Sequence, residues 1–224
     1  MKMKTVIIIA LRLMPAICFS QAYNVQGFKG NRKHLVFIDA GLEYGSVINI
    51  GYAQRISTAR PIMAGLELSV PAGNEIIDDY QLKAFLQLEL LHCKRFVLTG
   101  SFNPVFRRLV NDLYTASAVA CELGLTTGFY YSGWYVAGEF ITDQSFLTHI
   151  KHSDQYVEGY PGAKSGWYSA MARTFNYGVQ AGFNIRETGI NLRIGLSGDK
   201  KFSGNTLPFY CVLGVNRFFN QLNH

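Results

Sequence analysis

The chain has 224 residues, of which 22 are Gly and only 6 Pro, with 16% charged and 14% aromatic residues and a formal net charge of +6 at pH 7. That length holds one domain or one barrel. The 49% hydrophobic content, without any low-complexity tract, excludes collagen-like and disordered chains. Three of the 21 basic residues (Lys2, Lys4 and Arg12) fall in the first twenty positions with no acid among them, leaving eighteen bases against fifteen acids. So small an excess over two hundred residues makes no electrostatic footprint for nucleic acid, and no nucleic-acid partner is expected.

Residues 1–20 read as a signal peptide. Met1 to Lys4 is a positive n-region, Val6 to Leu11 opens an apolar run that continues to Phe19, and Ser20 and Ala22 are small residues placed for cleavage before Gln21 or after Ala22. Arg12 interrupts the run, which falls short of the ~20 apolar residues of a spanning helix. Ile17 stands where a lipoprotein signal would place a small residue before its cysteine, here Cys18. Beyond the signal, residues 21–224 form one domain, and its three cysteines, Cys93, Cys121 and Cys211, offer neither a disulfide framework nor metal-ligand spacing. No metal and no cofactor are expected.

From Val36 onward the chain alternates with a period of two, because successive side chains of a strand point to opposite faces. Val36 to Tyr44 sets Val36, Ile38, Ala40, Leu42 and Tyr44 against Phe37, Asp39, Gly41 and Glu43. Nine further runs follow: Ile48–Arg55, Ile62–Val70, Leu82–Leu90, Phe96–Phe102, Ala118–Leu125, Trp134–Phe140, Phe175–Ile185, Ile190–Leu196 and Phe209–Asn216. None carries a helical period, so the chain is all-β, with about ten strands; eight is the alternative count. The apolar face holds no charge within any run. The opposite face collects Asp39, Glu43, Glu67, Glu89, Glu122 and Glu139 against Arg55, Lys83 and Arg193, among many glycines.

A soluble barrel with its apolar face inward and a membrane barrel with its apolar face outward both satisfy this alternation. Apart from the first hairpin, which turns near Tyr44–Ser46, short connections at Ser57–Arg60, His92–Arg95, Thr127–Gly133 and Arg186–Gly189 alternate with longer ones at Pro71–Tyr80, Asn103–Tyr114, Thr142–Gly166 and Ser197–Thr206. That rhythm suits short periplasmic turns and longer extracellular loops. Tyr44, Tyr52, Trp134, Phe175 and Phe209 near run ends suit interfacial girdles. A mixed acid, base and glycine face suits a crowded lumen whose ionic network includes Asp39, Glu43, Arg55, Glu67, Lys83, Glu89, Glu122, Glu139 and Arg193.

With its export signal, alternating strands and near-terminal aromatic strand, the chain resembles the small outer-membrane β-barrel domain proteins of Gram-negative bacteria. That family's last strand carries an assembly signal of a glycine followed by apolar residues three and five positions on. Gly214 and Phe219 match it, whereas Arg217 stands at the intermediate apolar position. The resemblance implies an antiparallel transmembrane barrel in the outer membrane, touching outer-membrane lipid and lipopolysaccharide, assembled by the barrel assembly machinery and open to a further envelope-protein partner.

The richest cluster of reactive side chains is His149, His152, Ser153 and Asp154, with Glu139 upstream. A Ser/His/acid set needs the imidazole beside the hydroxyl and an acid behind it, but adjacent His152 and Ser153 point apart on an extended chain. Tyr156, Tyr160 and Trp167 enrich the same connection in aromatics and suit a binding loop. Tyr80, Arg107, Arg108, Lys200 and Lys201 fall in the other long connections. Three readings follow. The first is a structural, adhesive or accessory binding barrel with a closed lumen, and so not an enzyme. The alternatives are a barrel-rim hydrolase acting on lipid A or peptide, and a narrow cation-leaning channel. A soluble exported barrel binding a small apolar ligand is a further alternative.

Overall fold

The computed structural model of the chain describes residues 32–43, 45–56, 61–72, 79–169, 173–199 and 208–220. The signal segment, Tyr44, Lys200 and Lys201 lie outside the described residues. The chain forms ten long antiparallel strands: β1 (Arg32–Leu42), β2 (Ser46–Ile56), β3 (Ile62–Pro71), β4 (Tyr80–Cys93), β5 (Phe96–Val110), β6 (Tyr114–Tyr130), β7 (Trp134–His152), β9 (Arg173–Ile185), β10 (Thr188–Asp199) and β11 (Phe209–Asn220). Between β7 and β9 come a short helix, α1 (Asp154–Gly159), and a four-residue strand, β8 (Gly166–Ser169). Each long strand pairs with the next along the chain, and β1 pairs with β11, so the sheet closes. β8 pairs only with the upper part of β7, at Leu147–Ile150.

The register gives the barrel its slant. From Tyr135, direct partners run through Gly182, Asn191, Gly214, Asp39, Asn49, Ser69, Gln81, Arg107 and Ala118, and arrive back on β7 at Thr148. Circling the wall once therefore climbs a dozen or so residues. With ~3.3 Å per residue and ~4.8 Å between strands, this tilts the strands by about 40°. One end of the barrel gathers the connections β2–β3, β4–β5, β6–β7 and β9–β10 with the start of β1 and the end of β11; the other gathers β1–β2, β3–β4, β5–β6, β7–β9 and β10–β11.

All ten alternating runs become strands, and their faces fall as the alternation places them. Leu35, Phe37, Asp39, Asn49, Glu67, Lys83, Gln87, Glu139, Gln180, Arg193 and Val212 point into the barrel, each under 5% exposed. Val36, Ile38, Leu66, Leu86, Phe102, Val136, Val179, Leu192 and Leu213 face outward, 41–57% exposed. The outside of the barrel is its apolar face and the lumen its polar one.

Two connections differ from their expected bounds. The segments Asn103–Tyr114 and Thr142–Gly166 do not read as strand in the sequence, yet β5 runs on to Val110 and β7 to His152, leaving only Asn111–Leu113 between β5 and β6. In β5, Pro104 has no N–H to donate, and the pairing with β4 passes from Lys83–Val105 to Leu86–Phe102, while pairing with β6 continues through it. In β7, a bulge at Phe146 sets Ser145 opposite Ala120 and Leu147 opposite Val119. That extra residue moves the inward face from odd to even numbers, from Glu139, Ile141 and Ser145 to Thr148. A second bulge, near Leu90 in β4, leaves Leu90 and Leu91 both exposed. The wall formed by β5, β6 and β7 consequently stands taller than the rest.

Candidate functional site

The lumen is filled at the turn end. Leu35, Phe37, Ala53, Met63, Phe85 and Phe218 form one apolar cluster across β1–β4 and β11, and Val97, Tyr130, Tyr135 and Ala137 another on the β5–β7 wall. Phe37 and Phe85 meet with ring centroids 6.1 Å apart, and Tyr130 stacks on Tyr135 at 5.1 Å. Glycines on adjacent strands make room for these rings: a Cβ on Gly51 would strike the Phe37 ring, one on Gly65 the Phe85 ring and one on Gly182 the Tyr135 ring. Gln87 and Gln180 are 0% and 1% exposed at the upper edge of this packing.

Above the seal lies a layer of ions. Lys83 Nζ is 3.1 Å from Glu67 Oε1 and 3.0 Å from Glu122 Oε2. Arg107 reaches Glu122 at 3.2 Å and Asp143 at 2.6 Å, and its Nε donates to Gln81 Oε1 at 2.7 Å. Arg193 lies 3.2 Å from Glu139 and 3.5 Å from Glu43, while the Tyr210 hydroxyl donates to Glu139 Oε1 at 2.7 Å. Each cation bridges two carboxylates, so charges that would each cost several kcal/mol if buried alone are held as compensated groups. Asp39 sits lower, beside Asn49 and Gly214 in register, and neither of its carboxylate oxygens has a hydrogen-bond partner among the described residues. Glu89 lies at the turn end, bonded to His92 at 3.0 Å. Arg55 lies on the same inner face of β2, near the turn end.

Over the ionic layer a cavity of about 310 Å³ opens toward the loop end. Its lining includes Glu43, Asp79, Tyr80, Arg107, Asn176 and Ser197. The Asp79 carboxylate accepts from the Val110 backbone N–H at 2.7 Å, pinning the β3–β4 connection to the tall wall. The acids Glu43, Asp79, Glu122 and Asp143 face the bases Lys83, Arg107 and Arg193 around this vestibule, with Arg108 at its outer edge, so it is close to charge-balanced. The alternation of the last run puts Tyr210 on the inner face, opposite Phe209 and Cys211, and there it lies. Arg107 and Asp143 lie beyond the expected ends of their strands and do not read as lumen residues in the sequence.

The His149–Asp154 cluster is not a loop. His149 lies in β7, opposite Ser117 and Trp167, with its ring centroid 4.8 Å from that of Trp167. The His152 ring stacks on Tyr156 at 5.0 Å, and Tyr156 meets Tyr160 at 5.1 Å. Ser153 caps α1, its Oγ accepting from the Tyr156 N–H at 3.3 Å, and Asp154 is the first residue of that helix. Glu139 is ten residues down the same strand from His149, about 30 Å away, bonded to Arg193 and Tyr210. The structure brings His152 and Ser153 to the tall rim and leaves Glu139 in the lumen. Tyr160 and Trp167 are 64% and 65% exposed there. No group of three His, Cys, Asp or Glu is placed to hold a metal among the described residues.

No family model and no curated protein matches the sequence. Among solved structures, the chain is similar to a KdgM porin in complex with disordered oligogalacturonate, at 8% identity, and to a KdgM porin, at 7%; in each case the TM-score is 0.42 and the match covers 83% of this chain and 99% of the other.

Proposed function

We propose that the protein is an integral outer-membrane β-barrel with a closed lumen and an accessory binding role at its loop end. The apolar outer face carries this reading. Along the middle of the strands the outward residues carry no charge and are mostly aliphatic or aromatic, and outward charges such as Arg108, Lys151 and Arg217 fall near the strand ends. A charge on a lipid face costs roughly 2–4 kcal/mol at the bilayer midplane, so this distribution suits a surface immersed in hydrocarbon. Trp134, Phe129 and Phe183 at the turn end, and Phe106, Phe175 and Phe209 toward the loop end, sit where headgroups would meet the barrel. No helix of the described residues is long and apolar enough to cross a membrane.

With the start of β1 and the end of β11 at the turn end, that end faces the periplasm in this reading and the vestibule opens outward. The apolar seal beneath the ionic layer favours a blind cup over a diffusion pore, and the aromatic rim of Trp167, Tyr160 and Tyr156 supplies a contact surface beside its mouth. The charged vestibule favours a second reading, a narrow channel whose seal opens. Two measurements test the proposal. The unboiled protein from the membrane fraction should migrate differently from the boiled protein on a detergent gel, and the pure protein should give no steady conductance in a planar bilayer. Absence of the gel shift together with recovery in a soluble periplasmic fraction would refute the membrane barrel; steady open channels would refute the closed lumen.

A further inference from the structure

The two rims differ in charge. At the loop end the surface bases Arg108, Lys151, Lys164 and Arg173 are offset by Asp79, Asp112, Asp154 and Glu158. At the turn end Arg32, Lys33, Lys94, Arg95, Arg186 and Arg217 face a single surface acid, Glu187, among the described residues. Three of these arginines converge. The β10–β11 register sets Thr188 beside Arg217, Arg32 Nη1 donates to the Arg186 carbonyl at 3.1 Å, and a recess of about 610 Å³ lies among Arg32, Arg186, Glu187, Thr188 and Arg217.

Glu187 lies 3.7 Å from Arg32 and is half exposed, which makes it a weak counter-ion. Arg186 and Arg217 have no ion-pair partner among the described residues. Arg186 holds a left-handed backbone with φ 57°, a turn position where glycine would sit without strain. Arg217 points outward from β11, next to Val36 and Thr188 in register, where the outer face is otherwise apolar. It is the residue that departs from the terminal-strand pattern, and its place at the rim gives that departure a physical reason.

We propose that this recess binds the phosphate of an anionic phospholipid headgroup in the periplasmic leaflet. The inference rests on the membrane reading above. A guanidinium presents a planar fork of donors that pairs phosphate oxygens two at a time, and the recess sets three such groups around one concavity at headgroup height. A base near an anionic lipid surface strengthens association by roughly fivefold, so losing two of the three should weaken retention by about twentyfold.

The test uses the purified, gel-shifted protein equilibrated with phosphatidylglycerol, phosphatidylcholine and lipid A, with retained lipid read by native mass spectrometry. The expected result is preferential retention of phosphatidylglycerol, a preference that Arg186→Ala/Arg217→Ala removes. Lys94→Ala/Arg95→Ala, on another turn, should keep it and serves as the control for general loss of basic charge. Equal retention of the two lipids, or a preference unchanged in the Arg186/Arg217 variant, overturns the proposal. Stronger retention of lipid A than of phosphatidylglycerol also overturns it, because it would place this rim in the outer leaflet. Flotation of the protein on vesicles separates the two levels: failure to float removes the membrane reading and the recess with it, whereas flotation without lipid preference removes the recess alone.

Discussion

Replacing Lys83 with Met is the sharpest test of the lumen. Lys83 reaches across the interior from β4 to Glu67 on β3 and Glu122 on β6, with side chains 5%, 2% and 11% exposed. At an effective dielectric of about 20, each contact near 3 Å is worth roughly 5 kcal/mol before desolvation is counted. Desolvation of the three ions offsets most of that. Deleting the cation leaves its share of the desolvation cost uncompensated, because Glu122 keeps Arg107 while Glu67 loses its lysine. Breaking a buried pair in this way costs about 3–5 kcal/mol. Urea unfolding of the barrel refolded into lipid vesicles, followed by tryptophan fluorescence and by the gel shift, should show that loss. Glu67→Gln in the Lys83→Met background should recover part of it by removing a buried negative charge that no longer faces the lysine. A Lys83→Met protein within 1 kcal/mol of the parent would refute the counter-ion role, and with it the idea that the lumen is held by its charges.

Phe37→Ala with Phe85→Ala should thin the apolar seal, at a cost of about 3–5 kcal/mol for each ring, and produce discrete conductance events that the parent lacks; silence from a folded, gel-shifted double variant would place the seal elsewhere. Replacing residues 154–164 with a short Gly/Ser linker should leave the gel shift and unfolding midpoint unchanged, because α1 contributes no buried residue. Failure of that variant to fold would make the segment part of the wall.

Much of the barrel is legible as alternation because each strand has water-like surroundings on one side and apolar ones on the other. Val36 to Glu43 and Phe175 to Ile185 can be assigned to faces residue by residue. What alternation hides is where the pattern slips or continues unseen. At Phe146 one inserted residue reverses the faces of β7, so the reading stops at Phe140 and the segment reaching His152 passes for a loop. In β5 the faces do not change, but Pro104 ends the sequence reading at Phe102, though a proline with its missing donor toward one neighbour can still pair with the other. The cost falls on the site: Arg107 and Asp143 lie beyond those stops, and they link the Lys83 cluster to the vestibule. The pairing of acids with bases in the lumen depends on strand order and tilt. Glu43 and Arg193 lie 150 positions apart, and only the closed β1–β11 seam makes them neighbours.

The β1–β11 seam sets the order in which the fold can be completed. Every other pairing in the wall joins strands consecutive around the chain, so it can form as a local hairpin soon after its residues are made. The seam alone joins Arg32 to Asn220, nearly the whole described chain, and carries the largest loop-closure entropy. Until it zips, the nascent sheet keeps two long unpaired edges, β1 and β11, both lined on one face with aliphatic residues, and these are the surfaces most open to mispairing with another chain. Sealing one barrel is therefore also the step that ends its hazard to its neighbours.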